Sequence, residues 1–224
     1  MARPNVIEYK IKLIKDIFGR THKKYIGFLS IFNSLYKLIN YYLSKSRRMF
    51  YMRLDLRFPK NFIFKMSIGQ YVSKFNRKFM KKLRKKKLFP KYLRAREQNI
   101  SDNPHYHYAL LLNGYKIIDY YKISKLADSV WDSILGGAYP RRTDSRRRLS
   151  GVVDRCSSEY DNQYMQALEC FLYLTKIDNK SQTGSNIRDY DMSHIPNDGV
   201  NYNIKPPYIP PKTGDLDLTS RFFR

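Results

Sequence analysis

His105-Tyr106-His107-Tyr108-Ala109-Leu110-Leu111-Leu112-Asn113 is the stretch that decides how this chain is read. It is an apolar run opened by two histidines one residue apart. In a strand, side chains at i and i+2 share a face. His105 and His107 therefore stand side by side, and Tyr106 and Tyr108 turn to the other face. The chain of 224 residues has 4 histidines, so two at this spacing are hard to ascribe to composition. Paired neutral imidazoles on a strand can ligate a divalent metal.

Working outward, Phe89 to Glu97 reads as a second strand. The joining segment Gln98-Asn99-Ile100-Ser101-Asp102-Asn103-Pro104 is rich in turn formers, which predicts an antiparallel hairpin. Upstream, Leu54, Leu56 and Phe58 alternate with Arg53, Asp55 and Arg57, a strand closed by Pro59. Ser67-Ile68-Gly69-Gln70 is a capping box, and the helix it starts carries Ile68, Tyr71, Val72, Phe75, Phe79 and Leu83 on one face. Downstream, a helix through Ile123, Ala127, Val130 and Trp131 ends at Gly136-Gly137. A short strand at Gly151-Val152-Val153 and a helix from about Asn162 to Lys176 follow.

The segment from Val6 to about Ser46 has a helical pattern, with Gly19 ending the first of two helices. Beyond Asp178 the chain is polar, with Pro206-Pro207 and Pro210-Pro211, and reads as an extended tail. The expected fold class is α+β, a central antiparallel sheet flanked by helices. It divides into an N-terminal helical region (1–46), a domain (47–180) and the tail (181–224).

Lys and Arg total 43 against 19 Asp and Glu, a formal net charge of +24. Such an excess attracts polyanions, nucleic acid foremost. The 20 tyrosines offer stacking partners for unpaired bases. Candidate DNA contacts are Arg53, Arg57, Arg94 and Arg96 on the strands, Lys78, Lys82 and Lys85 on the capped helix, and Arg141, Arg142, Arg146 and Arg147 in a basic loop. Cys156 and Cys170 form no CxxC and read as buried thiols of a reducing cytoplasm. No secretory leader is visible and no apolar run is long enough to span a bilayer, so a soluble cytoplasmic protein is expected.

Two histidines alone would hold a metal loosely, and a carboxylate is the expected third ligand. Glu97 serves if it lies opposite His105 or His107 in the hairpin, because directly paired residues share a face. Asp102 is the alternative. Tyr173 and Lys176, three apart near the end of the last helix, are neighbours on one face. A phenol is a poor nucleophile at neutral pH. A metal-polarised phosphate and a nearby ammonium lower the cost of its attack on phosphorus.

The motifs Arg53-Leu54-Asp55-Leu56-Arg57-Phe58-Pro59, Arg94-Ala95-Arg96-Glu97-Gln98, His105-Tyr106-His107 and Tyr173-Leu174-Thr175-Lys176, in this order, resemble those of the HUH endonucleases of rolling-circle replication. More closely, they look like the inovirus-type replication proteins, a group that includes the YagK/YfjJ prophage proteins. The resemblance implies an RRM/ferredoxin-like central sheet. It also implies a replication initiator of a phage or mobile element, acting on single-stranded or hairpin origin DNA in a bacterial host. Glu97, His105 and His107 would hold Mg²⁺ or Mn²⁺. Tyr173 would attack the scissile phosphate, leaving a 5′-phosphotyrosine and a free 3′-OH, with Lys176 stabilising charge. A host replication helicase or polymerase is an implied partner. Only one tyrosine stands in the nucleophile motif, and no GxxxxGK[ST] loop signals a fused helicase. Two other readings stay open: a non-catalytic DNA-binding regulator on the same fold, and a metal-dependent phosphodiesterase that uses water.

Overall fold

A computed structural model describes residues 6–9, 25–97, 103–117, 119–138, 149–175 and 190–210. Its elements are strands β1 (Val6–Tyr9) and β2 (Tyr25–Phe28), helix α1 (Leu29–Lys45), β3 (Arg48–Leu56), α2 (Ile68–Lys85), β4 (Lys91–Glu97), β5 (His105–Asn113), α3 (Tyr120–Leu135), β6 (Ser150–Asp154), α4 (Tyr160–Leu172) with a closing 3-10 turn (Tyr173–Thr175), and β7 (Tyr190–Met192). The architecture is α+β. Five antiparallel strands form the central sheet in the order β6-β3-β5-β4-β7, and β1 pairs with β2 in a separate hairpin.

The expected hairpin forms, with β4 and β5 adjacent and Glu97 directly opposite His105. β5 lies at the centre because its alternating residues can be buried on both faces, as its near-continuous apolar run requires. One face carries Leu54, Leu56, Tyr106, Tyr108, Leu110 and Leu112 into a core with α2 and α3. The other carries Met49, Tyr51, Leu93, Ala95, Ala109 and Leu111 into a core with α1 and α4.

Local signals account for α2 and α3. Ser67 accepts from the Gln70 amide while the Gln70 side chain accepts from the Ser67 amide, so the capping box that opens α2 is made as predicted. Tyr71, Val72, Phe75, Phe79, Met80 and Leu83 of that helix are buried, each worth about 1.5–3 kcal/mol over exposure. Asp119 caps α3 by accepting from the Tyr121 and Lys122 amides, and Gly136 ends it at φ 70°, where a side chain would be strained.

Both ends of the chain correct the sequence reading. The N-terminal region is not wholly helical, since Val6–Tyr9 and Tyr25–Phe28 are strands paired with each other. Gly19 lies outside the described residues. Nor is α1 an appendage: Leu35, Leu38, Ile39 and Leu43 are fully buried in the second core. The C-terminal segment is not simply extended. Tyr190–Met192 adds the edge strand β7 beside β4. Farther on, the Tyr202 carbonyl accepts from Asn40 at 2.9 Å, and the Pro206 carbonyl accepts from the Tyr160 hydroxyl at 2.7 Å. Residues 190–210 thus strap α1 and α4 to the sheet.

Candidate active site

The site grows out of strand register. Glu97 on β4 is opposite His105 on β5, and Asp55 on β3 is opposite His107. Directly opposed residues share a face. Arg53, two residues before Asp55, points the same way. Five polar side chains therefore gather on the α1/α4 face, at the end where the apolar packing of that face stops. Arg53 is 8% exposed, Glu97 6% and His107 2%, so this is a polar cluster inside the protein.

The last helix delivers the sixth member. Phe171 and Leu174, three apart, are fully buried, with the Phe171 ring 5.9 Å from Tyr51 in an edge contact. These two anchors fix the rotation of the 3-10 turn and turn Tyr173 toward the cluster. Its ring meets His107 edge-on at 5.0 Å between centroids, and the Arg53 guanidinium lies 3.9 Å from the ring centre. The Tyr173 hydroxyl donates toward Glu97 Oε1 at 3.5 Å, the outer limit of a hydrogen bond.

Within the cluster His107 is held from both sides. Its Nδ1 is 2.6 Å from Asp55 Oδ1 and its Nε2 is 2.5 Å from Glu97 Oε2. Each such contact needs a proton between its partners, so the three groups share protons. Arg53 completes the cluster by donating through Nε and Nη2 to the two oxygens of Asp55, at 3.0 and 3.1 Å. Burial pushes the Asp55 carboxyl up, but the bond and charge of His107 and the Arg53 guanidinium outweigh it and hold Asp55 well below the usual carboxylate range. Burial, aided by the charges of Arg57 and His107, lowers His105, which favours the neutral imidazole.

Glu97 and His107 thus come together as the sequence reading required. His105 shares their face but stands outside that direct contact, and among the described residues no three His, Cys, Asp or Glu side chains are grouped as a metal site. The carboxylate is a suitable donor for Mg²⁺ or Mn²⁺, while imidazoles, as softer donors, fit the harder Mg²⁺ less well. Neighbouring donors on an octahedral cation at about 2.1 Å stand about 3 Å apart. A cation between Glu97 Oε2 and His107 Nε2 therefore needs them to part slightly and to release their shared proton.

Asp55 was missed as a site residue. Its signal was available: a charged residue on a strand whose alternate positions feed the core must end against a partner or at an opening. What the sequence lacked was the β3–β5 register that makes His107 that partner. Lys176, Asp102, Arg141, Arg142, Arg146 and Arg147 lie outside the described residues.

The proposed DNA contacts separate by position. Arg57 is exposed just beyond β3, beside the site. Arg53 is buried within it. Arg94 and Arg96 oppose Tyr108 and Tyr106 and so stand on the other face of the sheet from Glu97. Arg94 is paired there with Asp191 of β7 at 3.1 Å. Lys78, Lys82 and Lys85 are exposed on α2, also across the sheet from Tyr173.

Both cysteines are thiols, and each is half-buried rather than fully so. Among the described residues no helix is long and apolar enough to cross a membrane. No curated protein and no solved structure matches this chain. The family model described as the YagK/YfjJ C-terminal domain matches residues 15–190, which takes in α1, the whole central sheet as far as the start of β7, and every residue of the polar cluster. With that span matched, the chain belongs to the YagK/YfjJ C-terminal domain family.

Proposed function

We propose that this protein is a replication initiator of a phage or mobile element that nicks single-stranded or hairpin origin DNA through Tyr173, in the manner of the HUH endonucleases. The observation that carries this reading is the meeting of Tyr173 with Glu97 and His107, residues far apart in sequence and joined only by the fold. A phenol packed on a guanidinium, next to a carboxylate that can take its proton, is an arrangement for making a nucleophile rather than for filling a core.

In the proposed step the Tyr173 oxygen attacks phosphorus and its proton passes to Glu97. The phosphorus–O3′ bond breaks, and the 3′ oxygen leaves as a hydroxyl by taking up that proton from Glu97 or one from solvent. The product is a 5′-phosphotyrosine with a free 3′-OH for priming. Arg53, 3.9 Å from the ring centre, favours negative charge developing on the phenol. Asp55 holds the His107 ring and fixes which nitrogen faces Glu97. Glu97 and His107, with His105, would hold Mg²⁺ or Mn²⁺, which would supply Lewis-acid polarisation of the scissile phosphate. Lys176 would contribute a further positive charge. The +24 net charge supports a nucleic-acid partner, and Arg57, exposed and near enough for its charge to act on His105, would offer a phosphate contact beside the site. By the same reading the protein works in the bacterial cytoplasm with a host helicase or polymerase.

Incubation of the full chain with origin single strand and Mn²⁺ should give a protein–DNA adduct that survives SDS. Tyr173→Phe should give none, and an adduct formed by that variant rules Tyr173 out. Nicked DNA without adduct would indicate water as the nucleophile, and metal-independent binding without cleavage would indicate a regulator.

A further inference from the structure

At the opposite end of β4 from Glu97, roughly 20 Å away along the strand, a cavity of about 690 Å³ opens between the C-terminal end of α1, the middle of α2 and residues 192–196. This is within the range of sites for small molecules, about 300–1,000 Å³. Arg77, Arg84 and Lys91 line it, and no Asp or Glu does so among the described residues. The acids nearest in sequence are each bonded to a lining residue: Asp198 pairs with Lys45 at 3.3 Å, and Asp191 accepts from the Tyr92 hydroxyl at 3.1 Å while pairing with Arg94 at 3.1 Å. Burial and the charge of Arg84 lower the Lys91 ammonium, which donates to the His194 carbonyl at 3.0 Å rather than to a carboxylate.

The remaining walls are aromatic. Tyr41, Phe89 and Tyr92 line the same space, and Lys91 sits 4.8 Å from the centre of the Tyr41 ring. Phe89 is held at φ 46° and Lys87 at φ 56°, on either side of the buried Leu88. Such a conformation costs an aromatic residue about 1–3 kcal/mol. The turn keeps it because Leu88 must enter the core, where its amide donates to the Leu83 carbonyl and its carbonyl accepts from the Asn113 amide. One consequence is a Phe89 ring fixed at the cavity wall.

Flat π surfaces beside three cations, Arg77, Arg84 and Lys91, that have no ion-pair partner among the described residues match one ligand chemistry: a planar base carrying a phosphate. We propose that this cavity binds a nucleotide, its phosphate on Arg77, Arg84 and Lys91 and its base against the Tyr41, Phe89 and Tyr92 wall. The nucleotide is either one unit of a single strand held away from the Tyr173 site or a free nucleotide. Neither case needs Tyr173 to be a nucleophile.

Calorimetric titration of the full chain with thymidine 5′-phosphate tests it, with thymidine as the probe lacking phosphate. Thymidine 5′-phosphate should bind, and thymidine should bind at least about tenfold more weakly. Arg84→Glu and Arg77→Glu, both at exposed positions of α2, should each weaken the phosphate probe by about tenfold or more. Lys74→Glu makes the same charge change on that helix outside the cavity and should leave binding within about twofold. If Arg84→Glu also weakens a short oligothymidylate, the strand is the source of the nucleotide. If only the mononucleotide is affected, a free nucleotide is. No binding at millimolar concentration, or equal losses in Arg84→Glu and Lys74→Glu, overturns the proposal. Adduct formation is not the readout, so the nicking reading stands or falls separately.

Discussion

The Arg53 guanidinium holds both oxygens of Asp55 by hydrogen bonds while its carbon lies 3.9 Å from the centre of the Tyr173 ring. A planar cation can do both at once, and an ammonium cannot. Arg53→Lys keeps the charge but loses the fork. It should cost about 1–2 kcal/mol in denaturant unfolding and slow adduct formation. Stability and rate equal to the parent's would show that charge alone suffices there.

Asp55 is the counter-charge for a buried cation and the orienting partner of His107. Asp55→Asn removes one side of that arrangement and should destabilise the fold by about 3 kcal/mol, the usual scale for breaking a buried pair. Asp161, ion-paired with Lys205 but largely exposed, offers the contrast. Asp161→Asn should leave the thermal midpoint unchanged within error, since exposed pairs contribute little. Comparable losses in the two variants would mean the Asp55 pair is far weaker than its burial implies.

Two glycines should respond in opposite directions to alanine. A Cβ on Gly151 would come within 2.5 Å of the Tyr51 hydroxyl and 2.7 Å of its Cζ. Tyr51 is 5% exposed and packed against Phe171, so it has little room to yield. Gly151→Ala should therefore lower the melting temperature, by overpacking of about 1–3 kcal/mol. Gly69, in the first turn of α2, meets nothing within 4 Å. Gly69→Ala should stabilise by about 0.5 kcal/mol.

The thiols should differ in reactivity. Burial pushes Cys170 up to about 12. At pH 8 only roughly one molecule in 10⁴ then carries its thiolate. Cys156 is raised by burial too, but Arg47 and Arg155 oppose the rise. Iodoacetamide at pH 8 should modify Cys156 first, as read by peptide mass spectrometry. The Cys170 rate should climb about tenfold per pH unit until the pH nears its pKa. Equal rates at pH 8 would contradict the raised pKa of Cys170.

Local chemistry made much of the fold legible. The capping box of α2, the Gly136 end of α3 and the alternation in β5 each act over a few residues, and the order from β3 to α4 follows from them. The chain ends were misread because β1, β2 and β7 are strands of three or four residues. Segments that short hold their shape by pairing with a partner, not by their own periodicity.

The sequence by itself determined which residues could act: paired histidines on one face, a carboxylate at the hairpin mouth, a tyrosine near a helix end, and a charge suited to polyanions. Only tertiary structure decided which of them meet. Asp55 enters the site through β3–β5 register, Arg53 through its stacking on Tyr173, and Tyr173 through the anchors Phe171 and Leu174. Side-chain type and spacing are properties of the chain. Convergence from separate elements depends on how two apolar faces of one sheet are covered, and no short stretch of sequence encodes that.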